Sequence, residues 1–232
     1  VKFAPDYGLC HHFVSLGGKP GAPSWPEGAA GIRPTLGFNT GLEPQRESYL
    51  TYPPKPYAAP GIWHFYTYWP EMRSYEMPEG RGTRCYGNDF EPAEPAVIPR
   101  GQWICCEMMV KLNSKPELSD GEQAFWIDGK LRAWFAPGSV VGYWMRDTYR
   151  LDPTRGKPFE GLRWRTDGRV TINKLWLSHY VSDEVFGATE AWAKANPTVP
   201  VNSQRATVWF DDLVLAKRYI GPLASKEVAP AG

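Results

Sequence analysis

Three side chains able to transfer protons alternate along one short aromatic segment. Residues Gly61–Trp69 read GIWHFYTYW, and the two-residue repeat of a β-strand places His64, Tyr66 and Tyr68 on one face. Histidine and tyrosine serve as general acids and bases, so this face is a candidate catalytic surface. The tyrosines would equally serve as half-buried aromatics of a sheet, and His64 as a structural histidine. Both interpretations stay open at this point.

The other histidines and one lysine lie on further predicted strands. His11 and His12 are adjacent in sequence and face opposite ways, so at most one of them can share a cleft with His64. Lys174 and His179 also belong to opposite faces of one strand, and only one of them can point into the same cleft. No spacing among the four histidines demands a metal site.

The composition favours a single all-β domain. The 23 Gly and 23 Pro among 232 residues indicate many turns and argue against a helical protein. The 11 Trp, 12 Tyr and 10 Phe supply a large core and leave aromatic rings that could stack on sugars. A formal net charge of +1 excludes a strong global field for nucleic acid, so we expect no nucleic-acid partner. No apolar run is long enough to cross a membrane.

Two strands joined by a polar loop are predicted at the centre of the chain. Trp103–Leu112 is apolar on both faces, Asn113–Asp120 is rich in turn-forming residues, and Glu122–Ile127 is the second strand. The Asp-Gly pair at 128–129 is a two-residue hairpin signal that returns the chain into Lys130–Phe135. The first of these strands is expected to lie centrally, packed on both sides.

The remaining elements complete an antiparallel pattern with one helix. Asp183–Ala195 is the predicted helix, with acidic residues at its start, Lys194 near its end and Pro197 beyond it. Further strands are predicted over Val1–Ala4, Leu9–Leu16, Ile32–Asn39, Arg169–Val181 and Arg205–Lys217. This pattern predicts an all-β, antiparallel β-sandwich over residues 1–222, followed by a flexible tail over residues 223–232. The N- and C-terminal strands are expected side by side near the middle of a sheet, and residues 40–60 are expected to wrap the surface.

The cysteines show no metal-binding spacing. Cys105 and Cys106 are neighbours in a predicted strand and point to opposite faces. One of them could reach Cys10 or Cys85 in a disulfide while the other stays a buried thiol. A disulfide would fit an extracellular or periplasmic location. Because the chain opens inside an apparent strand, we expect upstream residues, either a leader or a first strand, ahead of Val1.

Several segments, taken in order, resemble a known family. The succession VKFAPDY, HHFVSLGGKPG, RGQWICCEMMVKLNS, DGEQAFWIDGKL and VWFDDLVLAKRYIGP is similar to that of jelly-roll polysaccharide lyases of families 14 and 20. Those are of the alginate- and glucuronan-lyase type, with a concanavalin A-like sandwich. The resemblance implies cleavage of an acidic, uronate-containing polysaccharide by β-elimination. A non-catalytic carbohydrate-binding or structural module on the same fold is the alternative.

The resemblance also implies roles for particular residues. Tyr66 and Tyr68 resemble the Tyr-x-Tyr strand that lines the lyase cleft and would serve as base and acid, with His64 assisting. Lys19, in the Gly-Gly-Lys loop, or Arg33 would neutralise the uronate carboxylate.

Further residues are candidates for binding the polysaccharide. Lys174 and His179 lie on a strand that would flank the cleft. In the alternative, non-catalytic module, exposed Trp25 and Trp69 would stack on sugar rings.

One carboxylate pair near the C-terminus is a candidate cation site. Asp211 and Asp212 resemble the place where many concanavalin A-like domains hold a structural calcium ion, which prefers oxygen ligands. The other interpretation is one buried acceptor and one solvated carboxylate. The expected elimination chemistry requires no cofactor.

Overall fold

The structure, a computed structural model, describes residues 1–21, 33–45, 47–48, 55–73 and 86–222; the predicted tail lies outside this part. Within it the chain is mostly β-structure with one short helix. The strands are β1 Lys2–Phe3, β2 Val14–Gly18, β3 Phe38–Gln45, β4 Glu47–Ser48, β5 Lys55–Pro56, β6 Ile62–Tyr68, β7 Asn88–Phe90, β8 Cys106–Lys111, β9 Glu122–Ile127, β10 Lys130–Phe135, β11 Val141–Met145, β12 Thr148–Leu151, β13 Lys157–Pro158, β14 Lys174–Trp176 and β15 Val208–Trp209. The helix α1 spans Asp183–Ala195. No helix in the described residues is long and apolar enough to cross a membrane.

Eight strands form the largest sheet, in the order β13-β11-β12-β7-β6-β3-β2-β14. Neighbouring strands are antiparallel except β7 and β12, which are parallel. The strands β3 and β6 lie near its centre, and their register runs from Asn39 opposite Tyr68 to Gln45 opposite Ile62. Both strands are buried along nearly their whole length, so their side chains are held firmly on two distinct faces.

A second sheet of three antiparallel strands, in the order β10-β9-β8, packs on the first. Phe125 of β9 contacts Phe65 of β6 edge to face, with ring centroids 5.3 Å apart. Thr40 of β3 donates a hydrogen bond to the side-chain oxygen of Gln123 at 2.9 Å, and both residues are buried. The three-stranded sheet therefore covers one face of the eight-stranded sheet, and the core lies between them.

The first and last strands meet in a small sheet of their own. β1 pairs antiparallel with β15, where Lys2 lies opposite Trp209, so the terminal strands lie side by side as predicted. The expectation that they lie near the middle of a sheet is wrong, because the two form a separate two-stranded sheet. β1 also pairs with the segment that leads into β8, where Lys2 lies opposite Trp103. Val1 exchanges backbone hydrogen bonds of 2.8 and 2.9 Å with Ile104. A separate small sheet pairs β4 with β5.

Local sequence patterns predict the helix and the central hairpin correctly. The helix begins and ends at the predicted residues, and the Ser182 side chain caps it by accepting a hydrogen bond from the Val185 N–H. Asp128 and Gly129 both have a positive φ, 51° and 76°, as a two-residue hairpin loop of type I′ requires. The strands β8, β9 and β10 lie within the predicted central block. The expectation that the first of them lies centrally in its sheet is wrong, because β8 is an edge strand of the three-stranded sheet and has β9 as its one neighbour among the described strands.

The expectation that residues 40–60 only wrap the surface is wrong. Phe38–Gln45 is a fully buried strand near the middle of the largest sheet. Gly41 and Pro44 obscure its pattern, since both residue types are depleted in strands. Pro44 lies beyond Leu42, the last residue of β3 that pairs with β2, so its missing N–H breaks no hydrogen bond to that neighbour.

The strands near the C-terminus are shorter than predicted. Only Lys174–Trp176 of residues 169–181 and only Val208–Trp209 of residues 205–217 are strand. Alternating apolar residues form a strand only where a neighbouring strand supplies the hydrogen-bond ladder. Most side chains between 210 and 222 are instead exposed.

The described cysteines are free thiols. Cys10, Cys105 and Cys106 form no disulfide, so the expected bridge from Cys10 to one of the other two is absent. The Cys10 thiol instead donates to the carbonyl oxygen of His12 at 3.4 Å. Cys85 lies outside the described residues.

Replacing Phe125 by Ala should lower the free energy of unfolding by about 3–5 kcal/mol, because a fully buried ring is lost between the two sheets. Denaturant unfolding followed by tryptophan fluorescence would measure this. The control variant Leu131→Ala, at a position 46% exposed on β10, should change the free energy by no more than about 0.5 kcal/mol. Equal losses in the two variants would contradict this location of the core.

Candidate functional site

One face of the eight-stranded sheet, turned away from the three-stranded sheet, gathers polar side chains from β3, β6 and β7. We call it the polar face, and its members are Asn39, Gly41, Glu43, His64, Tyr66, Tyr68 and Asp89. Glu43 lies directly opposite His64 in the register. Tyr66 lies between Gly41 on one neighbouring strand and Asp89 on the other. The predicted grouping of His64, Tyr66 and Tyr68 is therefore present in the structure.

The hydroxyls of Tyr66 and Tyr68 are in contact, with their oxygen atoms 3.3 Å apart. The Gly87 N–H donates a hydrogen bond to the Tyr66 oxygen at 2.8 Å, and a Cβ at position 87 would crowd both rings at 2.8 and 2.9 Å. Burial raises the pKa of Tyr68 to about 12. Burial, with nearby Tyr68 and Asp89, raises the pKa of Tyr66 well above its ordinary value. Both hydroxyls are therefore protonated near neutral pH.

A histidine–carboxylate pair lies beside Tyr66. His12 Nδ1 is 3.0 Å from Glu43 Oε2, and the imidazole is 37% exposed whereas the carboxylate side chain is 6% exposed. Gly41 makes room for this carboxylate, because a Cβ at position 41 would overlap Glu43 Oε1. Burial lowers the pKa of His12, but the hydrogen bond and the charge of Glu43 outweigh it, so the pKa is raised. His12 Nε2, on the other side of the ring, is directed away from Glu43.

Three aromatic rings stack around the His12 imidazole. The ring centroids of His11, Tyr66 and Tyr180 lie 4.3, 5.7 and 6.0 Å from that of His12. The backbones of His12 and Tyr180 exchange hydrogen bonds of 3.1 and 3.0 Å. Because Tyr180 is 50% exposed, this stack forms an aromatic rim at the edge of the polar face.

A second histidine–carboxylate pair is more deeply buried. His64 Nδ1 lies 3.1 Å from Asp89 Oδ1, with both side chains less than a tenth exposed. The orientation does not form a hydrogen bond, so the contact is electrostatic. Nearby, Gln45 donates to Glu91 at 2.9 Å, and burial raises the pKa of the Glu91 carboxyl. These groups form the buried part of the polar face, and its accessible imidazoles are those of His12 and of the exposed His11 that stacks on it.

The edge strand β14 adds a lysine and an exposed indole to the same side of the sheet. Lys174 lies opposite Gly17, which lies opposite Asn39, and Asn39 lies opposite Tyr68. Lys174 Nζ is 4.8 Å from the ring centroid of Trp176, which is 51% exposed. Three strand spacings, about 14 Å, separate Lys174 from Tyr68. The two can therefore contact different units of one extended ligand.

Two predicted sugar-stacking or substrate-binding residues lie apart from the tyrosine pair. Trp69 is only 4% exposed and packs against Phe90, with ring centroids 5.8 Å apart, so it belongs to the core and offers no exposed ring. Arg33 is exposed and lines a separate cavity of about 260 Å³ together with Trp69. Trp25 lies outside the described residues.

His179 faces the side of the sheet opposite to the polar face. Its Nε2 is 2.8 Å from the Tyr7 hydroxyl, and its ring lies edge-on to Phe13. Burial lowers the pKa of His179, which suits a neutral hydrogen-bonding partner. Of the two groups predicted to compete for the cleft, Lys174 is therefore the one on the polar side.

Lys19 is held at the end of β2. The Asn173 side chain donates to the Lys19 carbonyl oxygen at 2.8 Å and accepts from its backbone N–H at 3.3 Å. These two hydrogen bonds fix the backbone conformation of Lys19 in the Gly-Gly-Lys loop.

Asp211 and Asp212, the predicted calcium pair, follow β15. Both residues are exposed, and the Asp212 backbone N–H donates to Asp211 Oδ1 at 2.9 Å. No group of three His, Cys, Asp or Glu side chains that could hold a metal ion occurs among the residues that the structure describes. A calcium ion at this pair stays a prediction.

Sequence analysis assigned no role to Glu43 and Asp89 and left His12 undecided. Glu43 belongs to the strand mistaken for a surface segment, and Asp89 lies on a three-residue strand that the sequence analysis did not predict. The adjacent histidines ahead of β2 were the one available signal. The expectation that they face opposite ways is wrong, because both precede the strand and their rings stack with centroids 4.3 Å apart.

With the geometry established, the chain was compared with known proteins. No family model, curated protein or solved structure matches it. The arrangement of side chains on the polar face is therefore the basis for a functional assignment.

The His12 imidazole should titrate above the ordinary histidine pKa of about 6.5, because Glu43 stabilises its charged form. NMR titration of the ring resonances would measure this, and Glu43→Gln should lower the His12 pKa while leaving that of His179 unchanged. Since the folded pKa is the higher one, the pair stabilises the protein below about pH 6.5 and loses this contribution as pH rises through the folded pKa. A wild-type His12 pKa at or below the ordinary value would contradict the pairing.

Proposed function

We propose that the polar face is the catalytic cleft of a lyase that cleaves a uronate-containing polysaccharide by β-elimination. The observation that carries this proposal is the stacking of His12, held by Glu43, on Tyr66, whose hydroxyl meets that of Tyr68. A base and an acid thus lie next to each other at an accessible rim. The similarity of the segment order to jelly-roll polysaccharide lyases supports the same reaction.

Each step of the elimination has a group on this face. His12 Nε2 removes the C5 proton of the uronate, because Glu43 orients the ring and favours its protonated form, as the carboxylate of a catalytic triad does. The electron pair forms the C4–C5 double bond as the C4–oxygen bond breaks. Tyr66 protonates the departing oxygen and regains its proton through Tyr68 or from solvent. His12 releases its proton to solvent.

This assignment differs from the expectation that a tyrosine is the base. A phenolate at Tyr66 is disfavoured by burial and by the nearby Tyr68 and Asp89, which together raise its pKa. A phenol that stays protonated is suited to donate a proton. His12, whose ring is partly exposed, is the group that can accept one at mildly alkaline pH.

The uronate carboxylate must also be stabilised, so that its C5 proton becomes acidic. Ser15 donates to Asn39 Oδ1 at 3.2 Å, which orients the Asn39 amide to donate beside Tyr68. Lys174 binds the carboxylate of a neighbouring sugar unit, and Trp176 stacks on its ring. The spacing of about 14 Å between Lys174 and Tyr68 thus favours a polymer over a single sugar.

The finer fold class belongs to the same proposal. The packing of the three-stranded sheet on the eight-stranded sheet, with β1 beside β15, supports a jelly-roll sandwich of the concanavalin A-like type. A polymeric acidic substrate supports an extracellular or periplasmic location.

A non-catalytic carbohydrate-binding module is the second candidate. Tyr86, Tyr180 and Trp176 are 60%, 50% and 51% exposed and would serve as stacking platforms for sugar rings. Binding by such platforms needs neither the tyrosine pair nor the His12–Glu43 contact, so activity assays separate the two functions.

Incubation with alginate, glucuronan and other polyuronates should generate the absorbance of unsaturated uronate products. His12→Gln and Tyr66→Phe should each lower the rate about 100-fold or more, because a positioned acid or base contributes at least that factor. In Glu43→Gln the rising limb of the pH–rate profile should move to lower pH, because the pKa of His12 falls.

The control variant Tyr149→Phe should keep the wild-type rate. Tyr149 is 1% exposed in the core, and its hydroxyl has no hydrogen-bond partner among the described residues. Full activity in His12→Gln would refute the assigned base. Polysaccharide binding without any absorbance change would favour the binding module.

A further inference from the structure

One edge of the three-stranded sheet has no partner strand among the described residues. β8 pairs only with β9, so the other edge of Cys106–Lys111 presents backbone N–H and C=O groups toward a neighbouring groove. Such an edge is a template for an added strand, because each new residue pair completes hydrogen bonds of the ladder.

β1 is aligned with this edge. Lys2 lies opposite Trp103, and Val1 exchanges backbone hydrogen bonds with Ile104. If a strand continued β1 in the same register ahead of Val1, the residue two positions before Val1 would lie opposite Cys106. The direction is antiparallel to β8, and the pairing already formed by β1 would extend without a change of register.

The side chains of β1 and β8 indicate which positions of such a strand would face the core. Phe3 is fully buried and Val1 packs against the core, whereas Lys2 points over an indole ring toward solvent. On β8, Cys106 and Met108 pack against the same core. Every second position of a continued strand therefore faces inward, starting two positions ahead of Val1.

A groove of about 580 Å³ lies along the edge of β8. Its apolar lining comes from both sheets and from the segment after β15, and includes Leu16, Leu42, Met108, Leu175, Phe210 and Leu213. Leu213 and Leu215, on the far wall, are 60% and 69% exposed. Large exposed aliphatic side chains beside an unpaired strand edge are typical of a surface that another segment covers.

The rim of the groove is acidic. The charged side chains that line it among the described part of the chain are all carboxylates, namely those of Glu107, Asp128, Asp211 and Asp212. Glu107 already accepts hydrogen bonds from the backbone N–H groups of Ile220 and Gly221. Basic side chains on the outer face of an added strand would complement this charge.

We propose that the groove binds one extended peptide strand that runs antiparallel to β8 and in line with β1. Its inward side chains are apolar, and its outward side chains are basic. The register of β1, the aliphatic lining and the acidic rim together specify this occupant. The groove lies on the opposite side of the eight-stranded sheet from Tyr66, so its occupancy is independent of the proposed elimination.

The test places such a strand in register by extending the full chain ahead of Val1. The extension Val-Lys-Val-Lys-Val-Lys puts valine at the inward positions and lysine at the outward ones. Hydrogen exchange of the edge-facing amides within Cys106–Lys111 should slow about tenfold or more, because these amides gain ladder hydrogen bonds. The melting temperature should rise as well.

The control extension Lys-Val-Lys-Val-Lys-Val has the same composition with the two faces exchanged, and should give neither effect. Equal protection by both extensions, or by neither, would overturn the proposal. A second check uses the chain without an extension at several protein concentrations. Light scattering measures its self-association, and hydrogen exchange measures the protection of the β8 amides. Protection of β8 that grows with self-association would assign the groove to a second copy and overturn the proposed occupant.

Discussion

The packing of Phe125 on Phe65 determines what each face of β6 can do. Once the three-stranded sheet covers one face, the two-residue alternation of the strand carries His64, Tyr66 and Tyr68 to the other. A shift of one residue in register would bury the polar side chains and expose the aromatic core. The placement of the polar face therefore depends on apolar contacts on the opposite face of the sheet.

The two histidine–carboxylate pairs beside Tyr66 differ chiefly in exposure. The imidazole of His12 is 37% exposed and that of His64 is 6% exposed, while both partner carboxylates are buried. An accessible imidazole can exchange protons with a ligand and with solvent, whereas a buried one is confined to an electrostatic role. Asp89, from the buried pair, helps to raise the pKa of Tyr66 and so keeps that hydroxyl protonated. In the proposed mechanism, the His12–Glu43 pair transfers protons and the His64–Asp89 pair keeps the Tyr66 hydroxyl protonated.

Much of the fold was predictable from patterns that are local in sequence. The helix Asp183–Ala195 has its caps within its own neighbourhood, and the turn at Asp128 is encoded by two adjacent residues. β3 escaped prediction because Gly41 interrupts its alternation and its burial is imposed by strands from other parts of the chain. Glu43 was missed with it, since its role arises from a contact with His12, 31 residues away. Such long-range pairings are set by tertiary structure.

The histidine ring resonances can test where the proposed polysaccharide substrate would bind. His12 and His64 belong to the polar side of the sheet, whereas His179 contacts Tyr7 on the opposite side. The most direct measurement follows their ring resonances by NMR while oligoglucuronate is added to the Tyr66→Phe variant, in which turnover is suppressed. The proposed cleft predicts saturable shifts at His12 and smaller ones at His64, with His179 unchanged. Shifts confined to His179, or none at any histidine, would contradict it.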